Sequence, residues 1–220
     1  MIKNDYHHGN LREEFLRTAF DFIAEEDVEK LTLKVLSDAT GTSRSAIYRH
    51  FRSKDALMET VIEKGFEEFD DTISPILGLK SRPLIERFHE SGKAYIGFAK
   101  KNPNLYRLLF GHKYAAIRES IISIKDDDCS GFGALKLAIE EGQQSGVLKK
   151  ESSFNRAIAI WSSLHGLSLL IIDGFMDVSS ISDELYENVF QDMLSVSVAN
   201  KVKLLSGIPF GEKILNPKNR

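Results

Sequence analysis

Apolar side chains recur every three or four positions along almost the whole chain, the period of helices laid against a core. Asn10 can N-cap a first helix, with Glu13 at the capping-box position. Leu11, Phe15, Ala19, Phe22 and Ile23 then repeat at helical spacing until the acidic run Glu25 to Asp27. Thr32 can cap a short second helix, Leu33 to Thr40, in which Leu33, Leu36 and Ala39 share a face. Gly41 ends it, because the left-handed C-cap conformation costs glycine least. Ser43 can cap a third helix through His50 or Phe51, with Ile47 and Phe51 facing inward together. Ser53 caps a fourth, with Asp55 favourable to its dipole, carrying Leu57, Val61, Ile62, Phe66 and Phe69 toward Ser74-Pro75.

Beyond Pro75 the period stays helical. The expected helices are Leu84 to Lys100, broken before Asn102-Pro103; Asn104 to Phe110, ended by Gly111; and Tyr114 to Ile124. After a polar break come Phe132 to Gln144, stopped near Gly146, then Phe154 to Ile172 and Asp183 to Leu205. No strand-like alternation with hairpin turns appears, and no internal repeat. The fold expected is all-α, with about nine helices. Its organisation is a helix-turn-helix domain over 1–55, the fourth helix 54–73 as connector, and a second domain over 74–206. The Gly/Pro/Lys-rich tail 207–220 is expected to be loosely ordered.

Composition narrows the class. A 220-residue chain with 42% hydrophobic and 28% charged residues is that of a soluble globular protein with a real core. The single cysteine, Cys129, excludes an internal disulfide framework and a Cys-rich zinc site, and fits a reducing cytosol. The start, MIKNDYHHGNLREEF, carries no apolar segment, so no secretory signal is visible. Ala157 to Ile172 lacks Asp, Glu, Lys and Arg, but is shorter than the roughly 20 residues of a membrane span. With Ser162, Ser163, His165, Gly166 and Ser168 inside it, it reads as a buried helix. A cytoplasmic protein without a membrane partner is expected.

The net charge is -3, yet Arg44, Arg49, Arg52 and Lys54 follow one another with no acid until Asp55. Thr32 to Phe51 has the layout of a helix-turn-helix: a short helix, a tight turn at Gly41-Thr42-Ser43 and a second short helix. The second helix presents Arg44, Ser45, Tyr48 and Arg49 outward. Arg44 can reach a guanine edge, and Ser45 and Ala46 are small enough for close groove approach. Thr42, Ser43, Tyr48, His50 and Lys54 have donors suited to phosphate oxygens, and the start of the fourth helix, around Ser53-Lys54, offers backbone N–H groups. The competing reading is a three-helix domain with a solvated charged face.

These residues resemble a known family. Leu31-Thr32, Gly41-Thr42-Ser43, Ala46 through Phe51, Ser53-Lys54 and Leu57 look like the DNA-binding domain of tetracycline-repressor-like (TetR) regulators. The Tyr-x-His-Phe-x-x-Lys pattern of residues 48–54 is the most specific part. Tyr6 to Arg12 and the later Trp161…His165-Gly166 resemble a branch with a Trp-His-Gly C-terminal domain. The resemblance implies a homodimeric, all-helical transcriptional regulator, most often a repressor released from a palindromic operator in double-stranded DNA by a small, mostly apolar ligand. It implies that Arg44, Ser45 and Ala46 face bases and that Lys34 lies near base edges or backbone. It places Thr32, Thr42, Ser43, Tyr48, His50 and Lys54 at phosphates, with Lys3 and the Tyr6 to His8 arm near the DNA backbone.

The same resemblance pairs the last two helices with their copies across a two-fold axis, through Leu164, Leu167, Ile171, Leu185, Val189, Met193 and Val196. Phe154 to Ile172, apolar nearly all round, is expected to be covered on most sides. An effector pocket would be lined by Phe88, His89, Tyr95, Phe98, Tyr106, Phe110, Phe132, Trp161 and His165. His165, on an apolar helix, can equally be a hydrogen-bonded core histidine. An all-helical enzyme finds little support: there is no HExxH, glycine-rich phosphate loop or GxSxG. His7-His8 are adjacent, so their side chains diverge, and neither a metal nor a cofactor is expected. A constitutive DNA-binding dimer without effector keeps the fold and loses the sensing.

Overall fold

The computed structural model describes residues 11–124 and 130–176, with the side chains of 121–124 left aside. The expected arm at residues 3–8, the helix Asp183 to Leu205 with its interface residues Leu185, Val189, Met193 and Val196, and the tail 207–220 lie outside the described residues. Among those described there are nine α-helices: α1 (Leu11–Glu25), α2 (Leu33–Ala39), α3 (Arg44–His50), α4 (Lys54–Gly78), α5 (Leu84–Lys101), α6 (Pro103–Phe110), α7 (Ala115–Ile124), α8 (Gly131–Gln144) and α9 (Ser153–Ile172). The all-α class follows from the sequence period. A single 3₁₀ turn, Val28–Lys30, was not expected; Asp27 starts it by accepting the Glu29 N–H at 2.8 Å, so the acidic run is a capping device as well as a helix end.

The chain divides into two compact units. The first holds α1, α2, α3, α4 as far as Asp70, α6 and α7; the second holds the end of α4, most of α5, α8 and α9. This differs from a division into contiguous segments at residues 55 and 74, because α6 returns to pack on α1.

In the first unit α1 packs on α2, α3 and α6, with Phe15, Ala19 and Ile23 fully buried along its inner face. Pro103 opens α6 at a position whose N–H has no helical partner in any case. Asn104 then donates its side-chain amide to the Ile23 carbonyl at 3.0 Å, so α6 satisfies the open end of α1. The first part of α4 is held to α6 by close approach at Gly65, where an added Cβ would stand 2.9 Å from Leu109 Cδ2 and 3.1 Å from Leu105 Cδ1. Phe110 fills the adjoining space, edge-on to Phe66 and Phe69 with ring centroids 5.6 and 5.4 Å away.

α4 does not stop at Ser74-Pro75 but runs through Pro75 to Gly78. Proline removes the helical bond to the carbonyl of Asp71, a residue on the exposed side of α4. The last turn has its own support in the second unit. Arg87 is almost fully buried and donates from Nη1 to the Leu77 carbonyl at 2.7 Å, while Nη2 pairs with Glu141 on α8.

α9 departs from expectation. One face is buried through Ala157, Ile160, Leu164, Leu167, Ser168 and Ile171, while Phe154, Ile158 and Leu170 are exposed. It is not covered on most sides, and it is long and apolar enough to meet the length and composition test for a membrane span. Leu164, Leu167 and Ile171, expected at a dimer interface, instead face their own unit. In α2, Ser37 rather than Ala39 joins Leu33 and Leu36 in the core; its hydroxyl donates to the Lys34 carbonyl at 2.9 Å, so burying it costs little.

Arg87→Ala should destabilise the fold by about 3 kcal/mol, through the cavity and the lost partner of the Leu77 carbonyl. Lys64→Ala, which breaks an exposed pair with Glu67, should leave the midpoint unchanged; urea unfolding followed by circular dichroism compares the two.

Candidate nucleic-acid interface

The turn between α2 and α3 is built from backbone bonds that only a left-handed residue allows. Gly41 has φ of 63°, its N–H bonds the Asp38 carbonyl at 3.3 Å, and Thr42 N–H returns to Ser37 O at 2.9 Å. These two bonds close a Schellman motif and aim the chain into α3. Ser43 then caps α3, its hydroxyl accepting the Ala46 N–H at 3.2 Å, and Thr32 caps α2 in the same way through Val35 N–H at 3.1 Å. Local caps therefore set the two helices, and burial of Ala46 and Ile47 sets the rotation of α3 about its axis.

That rotation leaves Arg44, Ser45, Tyr48, Arg49 and His50 exposed, Tyr48 at 56%. Ala46, assigned to base edges, is only 8% exposed. It lies next to Ile47 on the buried side of the helix, so its methyl helps anchor α3 and is withdrawn from the outer face. Lys34, on α2, is exposed.

The residues assigned to phosphates fall into two groups. Tyr48 is open. The others have partners inside the protein: Thr32 and Ser43 are caps, Thr42 Oγ1 lies 3.0 Å from Thr40 Oγ1, and His50 sits edge-on to Phe15 at 5.8 Å. Lys54 reaches back to the 3₁₀ turn, donating to Glu29 O at 3.1 Å and Val28 O at 3.4 Å. An ammonium has three donors, so one remains. No short-range signal reveals that role, because its partners lie 25 and 26 positions earlier. Arg12 is a further basic residue of this unit; its guanidinium covers the Phe51 ring at 5.3 Å and bonds Thr60 Oγ1 at 3.3 Å.

Some described basic residues meet carboxylates: Lys30 with Glu26, Lys64 with Glu67, Lys113 with Glu29, Arg156 with Glu151. What marks the surface around the turn is that its neighbouring cations do not. Lys34, Arg44, Arg49 and Arg52 have no carboxylate partner among the described residues. Two short helices thus carry unpaired positive charge on a chain of net charge -3.

Two family models match the chain: "bacterial regulatory proteins, tetR family" over residues 15–61, and "tetracyclin repressor-like, C-terminal domain" over residues 88–193. The chain belongs to the TetR family. The C-terminal match bears that general description and says nothing of a Trp-His-Gly branch. Among curated relatives it is similar to the nucleoid occlusion factor SlmA of Vibrio vulnificus, at 33% identity over 105 residues, 47% of this chain and 53% of the relative. It thus spans about half the length of the curated relatives it matches. Two solved structures share the fold. One is a protein of unknown function from Rhodococcus sp. RHA1, with a TM-score of 0.77 and 23% identity, covering 90% of this chain and 100% of the other. The other is a TetR-family regulator from Vibrio parahaemolyticus, with a TM-score of 0.65 and 19% identity, covering 86% and 99%.

The aromatic residues assigned to an effector pocket divide between the units. Tyr106 and Phe110 belong to the first, where their ring centroids are 4.7 Å apart. In the second, Phe88, His89, Tyr95 and Phe98 are buried along α5. Trp161 Nε1 donates to Tyr95 Oη at 3.0 Å, Phe132 lies 5.9 Å from the Trp161 ring, and His165 lies 6.3 Å from it. Burial lowers the His165 pKa below the usual histidine value by disfavouring the charged imidazolium.

Removing the cap by Ser43→Ala should lower stability by about 1 kcal/mol, and Ser43→Asp should restore most of it, read as a melting-temperature shift.

Proposed function

We propose that this protein is a sequence-specific DNA-binding transcriptional regulator, a repressor that lays α3 in the major groove of a palindromic operator and leaves it when a small, mostly apolar effector binds. The observation that carries the reading is the outer face of α3: Arg44, Ser45, Tyr48 and Arg49 are exposed on a helix whose position is held by a capped turn, and its cations have no carboxylate partner among the described residues. Membership of the TetR family supports it, as does the fold shared with a TetR-family regulator. In this reading Arg44 and Ser45 read base edges, Lys34 lies beside them, and Tyr48, the remaining Lys54 donor and the hydroxyls of Thr32, Thr42 and Ser43 take phosphates. The protein works in the cytoplasm, where the operator is, and no enzymatic step enters.

The effector reading rests on the second unit. Tyr95, Phe132, Trp161 and His165 gather aromatic surface around the Trp161–Tyr95 hydrogen bond, a composition that suits a mostly apolar molecule.

Dimerisation is assigned to the exposed face of α9. Ile158, Ala159, Ser162, Ser163 and Leu170 follow helical spacing there, and the small residues permit close approach of a second copy.

Binding to duplexes cut from the DNA beside its own gene should exceed binding to scrambled duplexes and weaken steeply with salt. Arg44→Ala should cost about 1–3 kcal/mol at particular base pairs, whereas Tyr48→Phe should weaken binding to every sequence; fluorescence anisotropy separates the two. If Arg44→Ala left sequence preference intact, its base-reading role would be wrong.

Light scattering should give twice the chain mass of 24.8 kDa, and Ile158→Glu with Leu170→Glu should halve it. A monomeric wild-type protein at micromolar concentration would remove the α9 assignment.

A further inference from the structure

Arg49 is the cation on the outer face of α3 whose task the residue pattern leaves open. Long side chains on a helix lean toward its N-terminus, over the preceding turn. Arg49 does so: its Nε donates to the Ser45 carbonyl at 3.4 Å. The contact draws the guanidinium back toward the end of α3 that carries Arg44 and Ser45, and away from the end where His50 meets Phe15. A guanidinium has five N–H donors, and this contact uses one, so both terminal nitrogens keep theirs. Ser45 does not compete for them, since its hydroxyl already lies 2.9 Å from Ser43 Oγ. With Ala46 buried, the outer face offers Arg44, Ser45, Tyr48 and Arg49.

Resting on the reading that α3 enters the major groove, we propose that Arg49 is a second base reader, its two terminal nitrogens taking O6 and N7 of a guanine as a planar fork. The contact with a backbone carbonyl biases the side chain to lie along α3 before DNA arrives, so less side-chain freedom is lost on binding. Arg52 makes the contrast: it lies beyond α3, exposed and without such an anchor, and contributes charge alone. Arg49 therefore sets which base pair is preferred, while Arg52 sets how strongly any DNA is held.

The test uses the full chain and duplexes with a randomised core. Wild type, Arg49→Ala and Arg49→Lys are each taken through selection, then titrated on the winning duplex and its single-base-pair variants at several salt concentrations. The wild type should select a G·C pair at one fixed position in each half-site. Arg49→Ala should lose that preference, with affinity for the winning duplex falling about tenfold to a hundredfold while affinity for unrelated DNA changes little. Arg49→Lys should fail to restore it, because an ammonium is a point charge and not a fork. The variants are exposed substitutions, and unchanged circular dichroism confirms their fold. The proposal is overturned if Arg49→Ala weakens binding to every duplex alike with a salt slope smaller by about one, which marks a phosphate contact. It is equally overturned if Arg49→Ala selects the same sequence as wild type, or if Arg49→Lys keeps the preference whole. A wild type that selects no sequence at all defeats the groove-docking reading itself, a result distinct from any of these.

Discussion

The seating of Ile47 and Phe51 in the core of the first unit is the constraint on which the functional surface depends. α3 has 7 residues, too few to persist as a helix in water by its own hydrogen bonds. It exists because Ser43 caps it and because Ile47 and Phe51 are almost fully buried beneath it. Within the helix the buried pair is Ala46 and Ile47, and that pair sets its rotation. A turn of about 100° per residue means that burying positions 46 and 47 sends 44, 45, 48 and 49 outward. Ala46 is thus part of the anchor, which is how an assignment from side-chain size alone goes astray.

Around that anchor the first unit is arranged to hold α1 and α4 in place. Asn104 satisfies a carbonyl at the end of α1, Gly65 lets α6 approach α4 closely, and Phe110 occupies the space between Phe66 and Phe69. Lys54 ties the start of α4 to the 3₁₀ turn that follows α1. Each of these contacts joins segments far apart in sequence, and each restrains an element that borders α3. In the second unit Arg87 plays a comparable structural part, linking the last turn of α4 to Glu141 through one buried guanidinium. Burying that charge is tolerable because both a carbonyl and a carboxylate accept from it.

The electrostatics follow from the same economy of partners. Acidic side chains pair with several exposed cations, among them Lys30, Lys64 and Lys113, whereas Lys34, Arg44, Arg49 and Arg52 cluster around the α2–α3 turn without a carboxylate partner among the described residues. A chain with more acids than bases can therefore present a positive face, and its acidic remainder opposes indiscriminate attachment to a polyanion.

Residues within a few positions of one another already contain the caps Thr32, Ser43 and Ser53, the Gly41 turn, the helical period and the uninterrupted basic run. The all-α class and the helix-turn-helix were legible for that reason: each of these signals is a short-range interaction that any segment carries with it. What the tertiary structure alone decided are questions of which side faces what. Leu164, Leu167 and Ile171 turn into their own unit while Ile158 and Leu170 stay open; Tyr106 and Phe110 join α6 to the first unit; α4 continues through Pro75 to Gly78; and Lys54 finds carbonyls at a distance. On a helix apolar nearly all round, periodicity has no preferred face to report. The core side is then chosen by the shape and position of the neighbouring helices, which no local pattern records.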